Sequence, residues 1–305
     1  MSFPQPNFDE ELKIQLHEED RIDAADYTIH KKLTYVDKYR EYFEVQEINK
    51  NKIFLAKILR RNKEQNQEEN YRRLQTNILN EVNILRQIIY PTIIKYVGYS
   101  PNGIEQKHQP AIVTEYGVNG LLHDVIKNSK DPSQQTGWND TKKLINIYGI
   151  TSAISYLHSI NVLHRNLNPT NIYETEKLYP LVGNFENAIY LGEDIDIYPD
   201  EGNTIGLVMY LAPEIIKEQK YSRSSDIYSL GMIIYEILTG SIPFEGLQPT
   251  QVSNDILQGK RPEFNSDISE QWKRFIESCW SENPKTRPTA KDILKFLKED
   301  QNSIA

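Results

Sequence analysis

The chain has 305 residues, 38% of them hydrophobic and 26% charged, with a formal net charge of -8. That balance suits a soluble globular protein and gives no overall basic field for nucleic acid or an anionic membrane. The lone cysteine, Cys279, excludes an internal disulfide and a cysteine-rich zinc site, and makes a reducing, cytoplasmic setting the default.

Residues 1–25 read as a polar N-terminal extension, loosely ordered, without the apolar stretch of a secretory signal. From Lys31 to Leu59 the pattern is strand-like, with KIFLAKIL closing a hairpin after the turn-like EINKNK. The run NKEQNQEEN, residues 62–70, has the composition of a solvated loop. Next, Tyr71, Leu74, Ile78, Val82, Leu85 and Ile89 recur at steps of three or four, predicting an amphipathic helix that Pro91 ends. Glu81 falls on the edge of that apolar stripe. More strands follow up to AIVTEYG.

Beyond Gly120 the chain turns helical. Ile147, Ile150, Ile154 and Leu157 mark one long amphipathic helix. Asp226 to Leu238 is apolar on nearly all sides, as a helix inside a larger core would be. The most apolar run, Tyr228 to Leu238, is too short for the roughly 20 residues of a membrane span. The expected class is α+β: a small β-rich lobe over about 26–116, a larger α-helical lobe over about 120–298, and a C-terminal tail at 299–305. Clefts between two such lobes are common ligand sites.

Several segments resemble protein kinases. HRNLNPTN, residues 164–171, looks like the catalytic loop, and GNFENA, with Asn184, stands where a metal-binding DFG segment would. LAPE at 211–214 matches the APE motif. FLAK with Lys57 resembles the ATP-positioning lysine strand, and Glu81 the glutamate that pairs with it. Thr114-Glu115-Tyr116 resembles a gatekeeper and hinge. SSDIYSLG and CWSENPKTRP resemble later landmarks, with Asp226 and Arg287 as anchors. The last of these resembles tyrosine kinases and the tyrosine-kinase-like group most. The landmarks run in the family's order over roughly residues 26–298 and imply a bilobal protein-kinase-like fold.

The resemblance also implies chemistry, and here the residues depart from it. Phosphoryl transfer needs phosphates held still, metal ions to neutralise charge, and a base for the hydroxyl proton. The phosphate cradle needs glycines so that backbone N–H groups can approach the oxygens. The matching stretch VDKYREYF, residues 36–43, has none. Its Asp37 and Glu41 repel phosphate, with Lys38 and Arg40 in partial offset. The base position holds Asn166, and a neutral amide takes no proton at useful pH. Asn168 replaces the loop lysine, which leaves Asn171 as a metal-ligand candidate. Asn184 offers an amide dipole where magnesium favours anionic oxygen. Glu186, two residues on, would present a carboxylate on the same side if the segment were extended, although a solvated loop acid is the plainer reading.

What the resemblance leaves intact is structural. Phe185, His164, Leu85 and Tyr96 match a buried spine, Glu214 and Arg287 an ion pair, and Asp226 a support for the catalytic-loop backbone. Candidates for an ATP pocket are Lys57, Glu81, Ala56, Thr114, Glu115, Gly117 and Asn171. Phe43 and Tyr173 stand where smaller aliphatics usually contact adenine, so their rings either fill that volume or turn away. Lys57 and Glu81 fit a nucleotide clamp or a helix brace. Leu207 replaces a threonine hydroxyl before APE. Thr204, Tyr198 and Tyr190 are phosphorylation candidates with Arg165 as receiver.

The expectation is a catalytically inactive pseudokinase that binds a protein partner as scaffold or allosteric regulator. No metal is expected, and ATP is possible with magnesium doubtful. The alternatives are a weakly active ATP-dependent protein kinase and a metal-independent nucleotide switch.

Overall fold

Alternating and continuous apolar runs define the strands. The structure, a computed structural model, describes residues 20–35, 40–50, 52–59, 67–101, 103–104, 110–134, 136–192, 195–199, 206–264 and 268–300. It divides into two units, Met1–Ile89 with Ile94–Tyr116, and Tyr90–Ile93 with Gly117–Ala305.

In the first unit, strands β1 (Tyr27–Leu33), β2 (Arg40–Glu47), β3 (Lys52–Leu59), β4 (Tyr96–Ser100) and β5 (Ala111–Thr114) form an antiparallel sheet in the order β1-β2-β3-β5-β4. Side chains alternate between its faces. Phe43, Val45, Phe54, Ala56, Ile58 and Val113 pack in one cluster. Leu59 and Ile112 meet Ile78 and Val82 of helix α1 (Gln67–Leu85) in another. Lys57 lies two residues before Leu59 on β3, so it faces the same helix.

Three expectations are corrected in this unit. The helix ends at Leu85, and Ile89 is 85% exposed while Ile88 is buried. The bonds Gln87 N–H to Ile84 O and Ile88 N–H to Leu85 O tighten the last turn. This shifts the apolar phase by one residue. The end of the expected loose extension is packed: Ile22 N–H donates to Tyr99 O at 3.1 Å, and Arg86 meets Asp20 at 3.1 Å. Ile22 leans on Gly98 so closely that a Cβ there would come within 2.1 Å of its Cγ2. The rest of the extension, residues 1–19, lies outside the described residues, as do residues 62–66 of the expected loop and the side chains of Tyr71 and Leu74. Gln67–Asn70, also expected in that loop, open α1 instead.

The second unit is mostly helical: α2 (Leu122–Asn128), α3 (Asp140–Ser159), α4 (Pro213–Glu218), α5 (Arg223–Thr239), α6 (Pro249–Leu257), α7 (Glu270–Cys279) and α8 (Ala290–Asp300). The last helix runs two residues past the expected boundary at 298. Ile147, Ile150, Ile154 and Leu157 are fully buried on α3, which Asn139 caps by accepting from Lys142 N–H at 3.0 Å. Helix α5 is buried almost all round. Gly231 lets it approach α7, because a Cβ there would come within 2.7 Å of Cys279 Cβ. Short antiparallel pairs complete the unit: β6 (Val162–Leu163) with β9 (Ile189–Tyr190), β7 (Ile172–Glu174) with β8 (Pro180–Val182), and β10 (Ile197–Pro199) with β11 (Lys220–Ser222). A small sheet-rich unit and a larger helical one make up the expected α+β architecture. Among the described residues, no helix is long and apolar enough to cross a membrane.

Candidate functional site

In the first unit, β3 and α1 bring Lys57 and Glu81 together. Lys57 Nζ donates to Glu81 Oε2 at 2.6 Å, and both side chains are buried. A desolvated pair of this kind is worth keeping intact, because removing one partner strands the other charge. The clamp and brace readings predict this same geometry. Ala56 lies on β3 opposite Phe43 of β2, and Phe43 is buried in the sheet cluster. Thr114 Oγ1 donates to Glu115 O at 3.2 Å, and Glu115 N–H donates to Lys95 O at 2.8 Å. Leu85 is buried, while Tyr96 packs at the edge of the helix-facing cluster with its phenol pKa raised by burial. Of the stretch expected to cradle phosphate, residues 36–39 lie outside the described residues. Its remainder, Arg40–Phe43, is regular β2 strand with Glu41 ion-paired to Lys32.

In the second unit, one carboxylate sets the backbone of the catalytic-loop segment. Asp226 Oδ2 accepts His164 N–H at 3.0 Å and Oδ1 accepts Arg165 N–H at 3.0 Å. Burial alone would push the Asp226 carboxyl up, but a hydrogen bond and charge from His158 and the His164 N–H hold it below the usual range. Arg165 adopts φ 64°, a conformation non-glycine residues rarely take, and the Asp226 bond holds it there. His164 and Phe185 are fully buried and meet edge to face at 5.0 Å.

The four asparagines form one connected amide network. Asn171 Nδ2 donates to Asn166 O at 2.6 Å. That backbone acceptor fixes the orientation of the Asn171 amide and turns its Oδ1 toward Asn184, whose Nδ2 donates to it at 2.8 Å. Asn168 Nδ2 donates to Asn166 O and Oδ1, both at 3.1 Å, while its Oδ1 accepts Thr170 N–H at 2.9 Å. Asn166 Oδ1 also lies against Gly206, where a Cβ would come within 3.0 Å of it. The two side chains that should grasp magnesium therefore grasp each other. The residues present do not fit that ion: both donors are neutral, and one oxygen is taken by an amide hydrogen.

Asn184→Asp is expected to cost ~1–3 kcal/mol, because the new carboxylate faces Asn171 Oδ1 with no hydrogen to offer. Urea melts check this, and magnesium should recover part of the loss.

The proposed carboxylate rescue does not find its backbone. Asn184 is left-handed, at φ 62° and ψ 65°, and Phe185–Asn187 form a 3₁₀ turn rather than an extended run. Asn tolerates the left-handed region, but a turn after it removes the same-side relation between Asn184 and Glu186. Glu186 Oε1 lies 3.5 Å from Asn187 Nδ2 instead.

Sequence reasoning passed over Glu174. Gly117, at the start of the second unit, leaves no space for a side chain: a Cβ would come within 2.7 Å of Tyr173 Cβ and 3.0 Å of the Glu174 backbone. Tyr173 is buried and bridges to Leu121. Beside it Glu174 is fully buried, and neither carboxyl oxygen has a hydrogen-bond partner. Burial pushes its pKa up to about 8, tempered by nearby Asn146 and the Lys142 charge. An acid in the otherwise apolar β7 run is the only sequence signal for it. Glu214 and Arg287 do pair as expected, through two bonds of 2.7 and 2.8 Å. Of the phosphorylation candidates, Tyr190 is exposed on β9, Tyr198 lies on β10, and Thr204 lies outside the described residues. Among the described residues no three His, Cys, Asp or Glu side chains cluster to hold a metal ion.

A family model described as protein kinase domain matches residues 38–296. A Dictyostelium discoideum protein named a probable serine/threonine-protein kinase is 28% identical over 250 residues, covering 81% of this chain and 18% of that protein. A putative serine/threonine-protein kinase/receptor of Acanthamoeba polyphaga mimivirus is 31% identical over 219 residues, 71% of this chain and 13% of its own length. An Arabidopsis thaliana serine/threonine/tyrosine-protein kinase is 28% identical over 233 residues, 76% of this chain and 57% of its own. The chain thus spans just over half of one relative and under a fifth of the other two.

Proposed function

We propose that this chain, which belongs to the protein kinase family, is a catalytically inactive member that works by binding a protein partner, as scaffold or allosteric regulator. The observation that carries the reading is the 2.8 Å bond from Asn184 to Asn171, which joins the two would-be metal ligands to each other. Asn166 adds to it, since losing general-base catalysis typically costs roughly 10²–10⁴ in rate and a weakened metal site costs several kcal/mol more. The fold anchors Asp226 and Glu214–Arg287 are intact, so the chain keeps a defined surface for recognition. Ile195, Ile197 and Leu207 are exposed and supply apolar contact area for it. The CWSENPKTRP ending supports placement in the tyrosine-kinase-like group. A cytoplasmic setting suits the single, buried Cys279.

Purified protein incubated with magnesium and ATP should transfer no phosphate, to itself or to a general protein substrate, above the level of Lys57→Ala. Sustained transfer abolished by that variant would overturn the reading. A second reading, a metal-independent nucleotide switch, would use the Lys57–Glu81 pair as a nucleotide clamp rather than a brace. It predicts a melting temperature that climbs with ATP, magnesium absent, following RT ln(1 + [L]/Kd). A flat response at millimolar ATP eliminates it. A weakly active kinase would instead show its shift with magnesium.

A further inference from the structure

Strands β10 and β11 have three residues each and, among the described residues, pair with no third strand. An isolated ladder that short is marginal in water. Something else must hold the segment that follows the asparagine cluster in place, and the side chains show what does.

Tyr198 and Tyr221 are directly opposed across the β10–β11 pair. Cross-strand neighbours put their side chains on one face of a ladder. Both rings meet the guanidinium of Arg165, whose Cζ lies 4.3 Å from the Tyr221 centroid and 5.0 Å from that of Tyr198. Arg165 is only 8% exposed, and its Nη1 donates to Asn187 O at 3.3 Å. Burial draws the guanidinium pKa down, while the two phenols and Asp226 oppose that. Its backbone is held by Asp226 and hence by α5. Around the same hairpin, Arg223 reaches Asn161 Oδ1 at 2.7 Å and Asp196 Oδ1 at 3.4 Å.

We propose that Tyr198, Arg165 and Tyr221 form a latch that fixes the β10–β11 segment without phosphate. A desolvated cation against aromatic faces favours the closed arrangement by about tenfold or more, enough to hold a three-residue ladder closed. The latch also engages the guanidinium that a phosphorylated residue would need. Arg165 was expected to receive such a group, but its guanidinium is engaged by two rings and a carbonyl. A phosphate would have to displace one of them. The segment's own charge opposes that arrival, since Glu193, Asp194, Asp196, Asp200 and Glu201 fall within nine residues that contain no Lys or Arg. The placement of this segment is therefore built into the sequence rather than switched on by modification. The claim stands apart from the loss of phosphoryl transfer, and either can fail alone.

The test is amide hydrogen exchange on protein made in bacteria, with its mass confirming that no phosphate is attached. The phosphate-free parent should show slow exchange in β10 and β11. Tyr198→Phe keeps the ring and should match it. Tyr198→Leu removes the ring and should exchange about tenfold faster or more in those strands, with α5 unchanged. Unprotected β10–β11 in the phosphate-free parent overturns the latch, as does parent-like exchange in Tyr198→Leu. The parent decides the matter even where a variant fails to fold.

Discussion

Glu174→Gln is expected to stabilise the protein, with a gain that grows as the pH rises. Glu174 is fully buried beside Asn146, whose Nδ2 is committed to Lys142 O at 3.1 Å and Leu178 O at 3.2 Å. The Asn146 oxygen and both Glu174 oxygens lack hydrogen-bond partners. A neutral acid avoids the cost of an ionised carboxylate buried without hydrogen-bond partners.

The folded-state pKa is raised from 4.5 to about 8, so the native chain keeps a proton that the unfolded chain releases. The stabilising contribution is complete below the unfolded value and is lost as the pH climbs through the folded one. At about 1.36 kcal/mol per unit, the parent should lose roughly 3 kcal/mol from this site between about pH 5 and about pH 8. Glutamine is neutral throughout that range. Denaturant melts of parent and variant across that range should diverge by this amount. Parallel pH profiles would show that the Glu174 carboxyl is ionised in the folded protein.

Glu174 also marks where sequence reading runs out. Apolar spacing placed Ile147, Ile150, Ile154 and Leu157 in the core of α3, because burial of a helical face needs only the residue period. The same rule failed at Ile89, where a local tightening of the helix end changed the phase. The identities Asn166, Asn168 and Asn184 were legible as lost charge. Their mutual hydrogen bonds were not, since amide orientation depends on which carbonyl stands nearby in three dimensions. Arg165 shows the same boundary. Its motif position suggested a phosphate receiver, while its partners Tyr198 and Tyr221 come from a strand pair that no local pattern announces. Residue type gives the chemistry available, and packing decides which of it is already spent.

Arg287→Ala is expected to destabilise the protein by about 3–5 kcal/mol, the range for breaking a buried ion pair from one side. Arg287 has no solvent-exposed side-chain surface. Its Nη1 and Nη2 donate to the two Glu214 oxygens, Nη1 also donates to Ser224 O at 2.9 Å, and Nε donates to Ser281 O at 2.9 Å. The guanidinium further lies 5.1 Å from the Tyr228 ring on α5. One side chain thus ties the start of α4, the first turn of α5 and the loop after α7. Alanine takes the guanidinium donors away from those carbonyls and leaves the Glu214 carboxylate, among the described residues, with only the Ser225 hydroxyl as donor, at 3.2 Å.

Arg287→Lys restores the charge but not the planar fork, so most of the loss should remain. Glu214→Ala with Arg287→Ala should cost clearly less than the sum of the two single changes, because the double variant buries no unpaired charge. Urea melts of the four proteins give the coupling directly. Additive losses would mean that Arg287 acts through Ser224, Ser281 and Tyr228 alone, and that the ion pair contributes nothing to holding α4 in place.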